Sequence, residues 1–249
     1  EQLQILTEQL FDANEKLKGL DKLKTEFLSL ASHQLRSPLT AIKGYTSMII
    51  EGDFGEINPK AKEAIDRIFQ STTNLTKVVE DLLNVSKIEQ GGMKYEMAPF
   101  SLAEISRDMS KDLSITAEKK GVKLNFESDS DLECTVNGDK EKIRQVVLNF
   151  IDNSIKYTKE GTINVSVRKT GDKVVFAVKD TGMGMTPEIK ATLFQKFARG
   201  DGARMNTGGS GLGLYLAKEI IEAHKGTIGV DSEGMGKGSI FHFELDMIK

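Results

Sequence analysis

Asn149, Asn153, Lys156 and Tyr157 are spaced i, i+4, i+7 and i+8, which puts all four on one face of a helix. The asparagine amides offer neutral oxygens suited to a hard cation such as Mg²⁺, which keeps several waters and bridges phosphates. Lys156 supplies a point charge for phosphate and Tyr157 a flat surface at the edge of such a site. Leu148, Ile151 and Ile155 are expected to cover the opposite face, leaving the polar row turned toward a ligand.

Two glycine-rich stretches complete the pattern. Asp180-Thr-Gly182-Met-Gly184 begins where the apolar alternation of a strand stops at Val178. A carboxylate there can accept from an exocyclic amine while bare backbone bends around a ring, although the motif alone fits an ordinary turn equally well. Gly208-Gly209-Ser210-Gly211-Leu212-Gly213 directly precedes an apolar helical pattern, and unencumbered amides at a helix start form an anion site. Residues 198–210 carry Arg199 and Arg204 with almost no bulky apolar groups, a composition that suggests a mobile lid. Both arginines are compatible with phosphate contact and with a solvated loop.

Far upstream, His33 lies on an amphipathic pattern with no other His or Cys near it. Neutral imidazole is a competent nucleophile at pH 7. A nucleotide site combined with a solitary helical histidine suggests that His33 accepts a phosphoryl group. His224 and His242 sit near a helix end and in an apolar strand, where structural roles are as good an explanation as any other.

The elements that would position these groups fall into two regions. Leu3, Leu6, Leu10, Ala13, Leu17 and Leu20 alternate steps of three and four, the seam of a parallel coiled coil. Leu23, Phe27 and Leu30 then restart the pattern out of phase, which is either a signal-sensitive joint or an imperfection. The helix should continue past Pro38, kinked or loosened there, and end around Gly52 to Gly55. A second helix from Pro59 presents Ala61, Ile65, Ile68, Thr72, Leu75, Val79 and Leu82 and stops at Gly91-Gly92. One such hairpin has a thin core, and two would pack as a dimeric four-helix bundle. The remainder reads as a two-layer α/β sandwich: helices near 101–120, 139–157 and 211–225 among strands at 122–126, 135–136, 162–169 and 173–180 and a final pair. The expected division is 1–26 for the coiled-coil helix, 27–92 for the hairpin and 93–249 for the sandwich domain.

Composition narrows the function classes. A net charge of -3 without a basic run argues against nucleic acid as a partner. The lone Cys134 rules out an internal disulfide framework and reads as a small strand hydrophobe. No apolar stretch approaches the ~18 residues of a membrane span, so no membrane contact is expected of this segment. The start inside a helical repeat implies a piece of a longer protein whose upstream sensor domain lies elsewhere.

The order and spacing of these motifs resemble the catalytic core of sensor histidine kinases over nearly the whole chain. Ser32-His33-Gln34-Leu35-Arg36-Ser37-Pro38-Leu39 is similar to the phospho-acceptor box, Asn149 to Tyr157 to the N box, and Asp180 to Gly184 to the first glycine box. Phe194-Gln-Lys-Phe197 resembles the phenylalanine box, and Gly209 to Leu214 with Gly236-Lys-Gly238-Ser239 the later glycine boxes. The resemblance implies a homodimeric phosphotransfer hairpin joined to a GHKL-type domain that binds ATP and Mg²⁺. It makes Asn149 the metal ligand, places Asn153 and Lys156 near the phosphates and gives Asp180 the adenine amino group. Tyr157, Gly182, Gly184, Arg199, Gly209, Gly211, Leu212 and Gly213 complete the expected nucleotide-binding set. His33 would be phosphorylated and pass the group to an aspartate of a response-regulator receiver domain, in the cytoplasm, with membrane anchoring of the parent left open.

Two positions depart from the family. An acidic residue commonly follows the histidine, and here it is Gln34, which accepts a hydrogen bond but is no base. A threonine or asparagine commonly stands four residues after the histidine, where this chain has Ser37, which leaves phosphatase activity uncertain. Two rivals follow: a scaffold that binds nucleotide and regulator but barely transfers phosphate, and a chaperone-like or topoisomerase-like ATPase, which leaves His33 without a purpose.

Overall fold

The computed structural model describes residues 2–129, 134–198 and 210–248. It divides into two compact units, Glu1–Met93 and Lys94–Lys249.

The first unit is a helical hairpin of α1 (Gln2–Glu51) and α2 (Pro59–Glu89). Pro38 lies inside α1, and the helix is assigned without interruption on either side of it. Asn58 caps α2 by accepting from the Ala61 amide at 2.8 Å, and Pro59 follows at the first helical position, where a missing amide proton costs nothing. Leu39, Val79, Leu83 and Val85 are buried between the helices, while Leu35, Ile42, Tyr45, Met48, Ile68 and Leu75 remain exposed. A hairpin alone thus covers only part of its apolar surface. Seam residues Leu3, Leu6, Leu10, Leu20, Leu23, Phe27 and Leu30 are also exposed.

The second unit runs β1 (Ala98–Ser101), α3 (Leu102–Lys119), β2 (Val122–Ser128), β3 (Thr135–Gly138), α4 (Lys140–Tyr157), β4 (Gly161–Thr170) and β5 (Lys173–Asp180). It continues through α5 (Pro187–Thr192), α6 (Gly213–Ala223), β6 (Thr227–Asp231) and β7 (Ser239–Asp246). Five strands form one sheet in the order β2-β4-β5-β7-β6, with only β2 and β4 parallel. Alternate residues Ile163, Val165, Val167, Val174, Phe176, Val178, Phe241, Phe243 and Leu245 are buried on one face. Helices α3 and α4 meet that layer through Ile105, Met109, Ile143, Val147, Phe150 and Ile151, and the Phe176 and Phe243 rings stack at 5.0 Å in its middle. This is the expected two-layer architecture.

Three details differ from the sequence expectation. Strand β1 pairs antiparallel with β3 in a separate two-stranded ribbon, although β1 contains Pro99 and is only four residues long. Helix α6 begins at Gly213 rather than 211. Leu148 is exposed, and Val147 and Phe150 take the inward positions, because the buried arc of α4 is centred on 143, 147, 150, 151, 154 and 155.

His224, just past the end of α6, has a structural role. Its Nδ1 donates to the Ile220 carbonyl at 2.7 Å, and Nε2 accepts the Asp139 amide at 2.8 Å. Asp139 in turn caps α4, with Oδ1 receiving the Lys142 amide at 3.1 Å and Oδ2 the Glu96 amide at 3.0 Å. Tyr95 packs edge-on against the imidazole at 5.3 Å. His224→Leu strands the buried Asp139 amide, while the Ile220 carbonyl still accepts from the backbone amide of residue 224 at 3.2 Å, so it is expected to cost about 1–3 kcal/mol. Thermal melting should fall by roughly 2–12 °C; an unchanged midpoint would show that the histidine merely fills space.

Candidate functional site

Helix α4 carries the polar row. Asn149, Asn153, Lys156 and Tyr157 are all partly buried along one side of it, while the inward arc is in the core. Asn153 Nδ2 donates to Asn149 Oδ1 at 3.4 Å, and Lys156 Nζ lies 5.4 Å from the Tyr157 ring centroid. Among the described residues, Asn149 Nδ2 is buried with no hydrogen-bond partner. An orphaned amide of this kind carries a desolvation cost that a ligand acceptor would relieve.

Gly213 opens α6 directly against Asn149. A β-carbon at Gly213 would come 2.7 Å from Asn149 Oδ1, so the bare backbone is what lets the two elements approach. Leu212 is the N-cap and makes no side-chain cap bond to the first turn of α6. The Leu212 amide itself donates to Ser210 Oγ at 3.2 Å. Gly211, with φ of +71°, sits against the backbone of Phe197. This corner can receive an anion, and Asn149 Oδ1 faces it as a neutral oxygen ligand for a hard cation.

The other end of the site is built on Asp180, the last residue of β5, which is only 5% exposed. Its Oδ1 accepts from the amides of Gly182 (2.9 Å) and Ser239 (3.2 Å), and Oδ2 from Ser154 Oγ (3.3 Å). Burial pushes the carboxyl above the usual carboxylate range, against these three hydrogen bonds, which favour the ionised form. Oδ2 keeps capacity for one further donor. A β-carbon on Gly182 would meet the Tyr157 carbonyl at 2.6 Å, Asp180 Oδ1 at 2.9 Å and Thr158 Oγ1 at 2.9 Å. Thus Tyr157, Asp180, Gly182 and Gly184 are brought to one end, and Asn149, Gly211, Leu212 and Gly213 to the other. Arg199 and Gly209 lie outside the described residues.

One contributor had no sequence signal. Lys120, just beyond α3, donates through Nζ to the carbonyls of Ile155 and Lys156 (2.7 Å for the second). An ammonium at the carboxyl end of α4 answers its unpaired carbonyls and its dipole, and so steadies the turn bearing Lys156 and Tyr157. Burial lowers the Lys120 pKa from its ordinary value. A lysine thirty-five residues upstream could not be linked to that turn from spacing alone.

In the first unit, His33, Gln34 and Ser37 are exposed on α1, while the flanking Ser32 and Leu39 are buried in the hairpin. The imidazole is therefore available to a reactant.

A buried-strand carboxylate, an asparagine-bearing helix and a glycine-opened helix start define an ATPase-type nucleotide domain, preceded by a hairpin with one exposed histidine. The comparisons bear out both halves. Residues 138–249 match the family described as histidine kinase-, DNA gyrase B-, and HSP90-like ATPase, and residues 23–91 match the His kinase A (phospho-acceptor) domain. The circadian input-output histidine kinase CikA of Synechococcus elongatus is 34% identical over 238 residues, 94% of this chain and 31% of that protein. The sensor protein GacS of Pseudomonas syringae pv. syringae is 32% identical over 255 residues, spanning 100% of this chain and 28% of GacS. Among solved structures, full-length ShkA in complex with AMPPNP aligns with a TM-score of 0.73 at 26% identity, covering 90% of this chain and 46% of that one. ThkA in complex with the response regulator TrrA aligns at 0.59 and 25% identity, covering 90% of this chain and 61% of that one.

The chain belongs to the sensor histidine kinases and comprises their catalytic core. It spans about a third of the length of the curated relatives it matches. No described helix is long and apolar enough to cross a membrane.

Proposed function

We propose that this core binds Mg-ATP in the second unit, phosphorylates His33, and passes the phosphoryl group to an aspartate of a response-regulator receiver domain. The observation that carries the reading is the orphaned Asn149 amide at the glycine-opened start of α6, in a chain that also exposes a histidine on a phospho-acceptor hairpin. The ShkA complex with AMPPNP and the ThkA complex with a response regulator support the nucleotide and the partner respectively.

In this reading Asp180 Oδ2 accepts from the adenine amine, and Tyr157 and Gly182 border the ring. Asn149 Oδ1 would hold the cation, which neutralises phosphate charge when bound. Asn153 and Lys156 stand beside Asn149 as further polar lining. The amides at Gly211 and Gly213 receive phosphate oxygens, with Leu212 held between them by its own bond to Ser210 and with Arg199 and Gly209 assigned to the same cradle. His33 supplies a nitrogen lone pair: an N–P bond forms to the γ-phosphorus, the bond to the β-phosphate oxygen breaks, ADP leaves, and the proton on the other ring nitrogen is released. Transfer then depends mainly on alignment and charge neutralisation.

We assign residues 1–26 to a coiled-coil signalling helix, 27–92 to dimerisation and phosphotransfer, and 93–249 to ATP binding. The exposed apolar rows on α1 and α2 support a homodimer in which a second hairpin covers them. A cytoplasmic position follows from the need for ATP and a receiver domain.

The test is incubation with γ-labelled ATP followed by acid and base treatment. Label on the protein should be lost in acid and survive base, and acid-stable label would point to a hydroxyl acceptor. Gln34→Glu probes the departure from the family. A carboxylate beside His33 can orient the ring and stabilise the positive charge it develops, so the initial rate should rise, by less than the ~10²–10⁴-fold of full general-base assistance. An equal or lower rate at saturating ATP would mean that Gln34 already suffices or that domain closure limits the reaction.

A further inference from the structure

Asp180 and its glycines do not stand alone; a second loop is fastened along them. The Ser239 amide reaches Asp180 Oδ1 at 3.2 Å, the Gly238 amide donates to the Gly182 carbonyl at 3.2 Å, and the Gly236 amide to the Met183 carbonyl at 2.6 Å. The approach is too close for any side chain, since a β-carbon on Gly184 would lie 2.0 Å from the Gly234 carbonyl oxygen. At the far end of this contact stands Ser232. Its Oγ accepts the Met185 amide at 3.1 Å and the Gly234 amide at 3.3 Å, and its one proton goes to the Gly238 carbonyl at 2.7 Å.

We propose that Ser232 is a positioning residue for purine recognition: its hydroxyl closes residues 232–238 into a ring and pins that ring to the Asp180–Met185 loop. Gly234, Gly236 and Gly238 all have positive φ, so the ring segment has little conformational preference of its own. Among the described residues, Asp180 and Ser232 are the two side chains that tie the segments together, one at each end. Without the hydroxyl, Met185 N–H and Gly238 C=O lose their partners, and the loop can drift from the glycines that border the ring. Ser232 touches no ligand atom in this scheme. The inference rests on the reading of Asp180 as the adenine acceptor.

Ser232→Ala should weaken ADP binding, measured by calorimetry, about tenfold, which is the loss of one to two net hydrogen bonds expressed as affinity. The KM for ATP should rise by the same factor while the initial autophosphorylation rate at saturating ATP is unchanged. Ser232→Thr keeps the hydroxyl and should bind ADP like the parent chain. Wild-type affinity in the alanine variant, an equal loss in both variants, or a lowered saturating rate with unchanged KM would each overturn the proposal. Asp180→Asn, run alongside, separates the two levels. If it weakens ADP and Ser232→Ala does not, the latch is wrong; if neither weakens ADP, the nucleotide reading itself fails.

Discussion

His33→Gln is expected to abolish protein phosphorylation while leaving ADP affinity unchanged. The side chain is exposed on α1 and belongs to a different compact unit from Asp180, Asn149 and Gly213. Glutamine is an adequate helix former and cannot supply a nucleophilic lone pair, so the variant should keep its fold, its helicity and its oligomeric state. Labelling with γ-labelled ATP should fall to background, and calorimetry with ADP should match the parent protein. Residual acid-labile label would show that a second histidine accepts phosphate. His224 has both ring nitrogens engaged and is buried, so the remaining candidate would be His242, which faces Asp231 at 3.5 Å on the sheet.

Asp180→Asn should do the reverse, removing nucleotide binding from a fold that is no less stable. The asparagine oxygen can still accept from Gly182 and Ser239, and its amide can face Ser154 Oγ, so no buried donor is stranded. What is lost, on the proposed reading, is the acceptor for the adenine amine. Hydrogen bonds to charged groups contribute about 1.5–3 kcal/mol, so ADP affinity should fall roughly 10- to 150-fold.

Linkage gives the stability side its sign. Because burial raises the Asp180 pKa, the folded state holds its proton to higher pH than the unfolded chain does. The group's contribution to stability therefore declines as pH rises from the unfolded pKa through the raised folded one. Above that window the carboxylate's contribution is at its lowest, and a neutral asparagine removes that burden. Thermal melting of apo Asp180→Asn at pH 7 should lie at or above the parent value, with the difference vanishing in acid. A clear drop in the midpoint would mean that Asp180 holds the fold rather than the ligand.

The parts of this site that could be read from sequence are those that repeat with a backbone period or end one. The asparagine row is visible because four side chains share a helical face. Asp180 is visible because it terminates an alternating strand, and the hairpin because Pro59 and the Gly91-Gly92 pair punctuate two apolar stripes. What stayed hidden depends on contacts between distant segments. Lys120 reaches the end of α4 from another helix, His224 meets Asp139 across 85 positions, and Ser232 meets Met185 across 47. Strand β1 exists because β3 is there to pair with it, since four residues including a proline carry too little strand signal alone. Leu148 shows a finer failure. Its type says core, but its azimuth on α4 says solvent, and azimuth decided.

Azimuth also matters for α1. The seam from Leu3 to Leu20 and the exposed His33 belong to one continuous helix, Gln2 to Glu51, with Pro38, which has no amide proton to give, accommodated inside it. At ~1.5 Å per residue that is a length of roughly 75 Å. Each residue of phase offset corresponds to ~100° about the axis, so the out-of-step restart at Leu23 and Phe27 turns the apolar seam to a different bearing around α1 before the helix reaches His33.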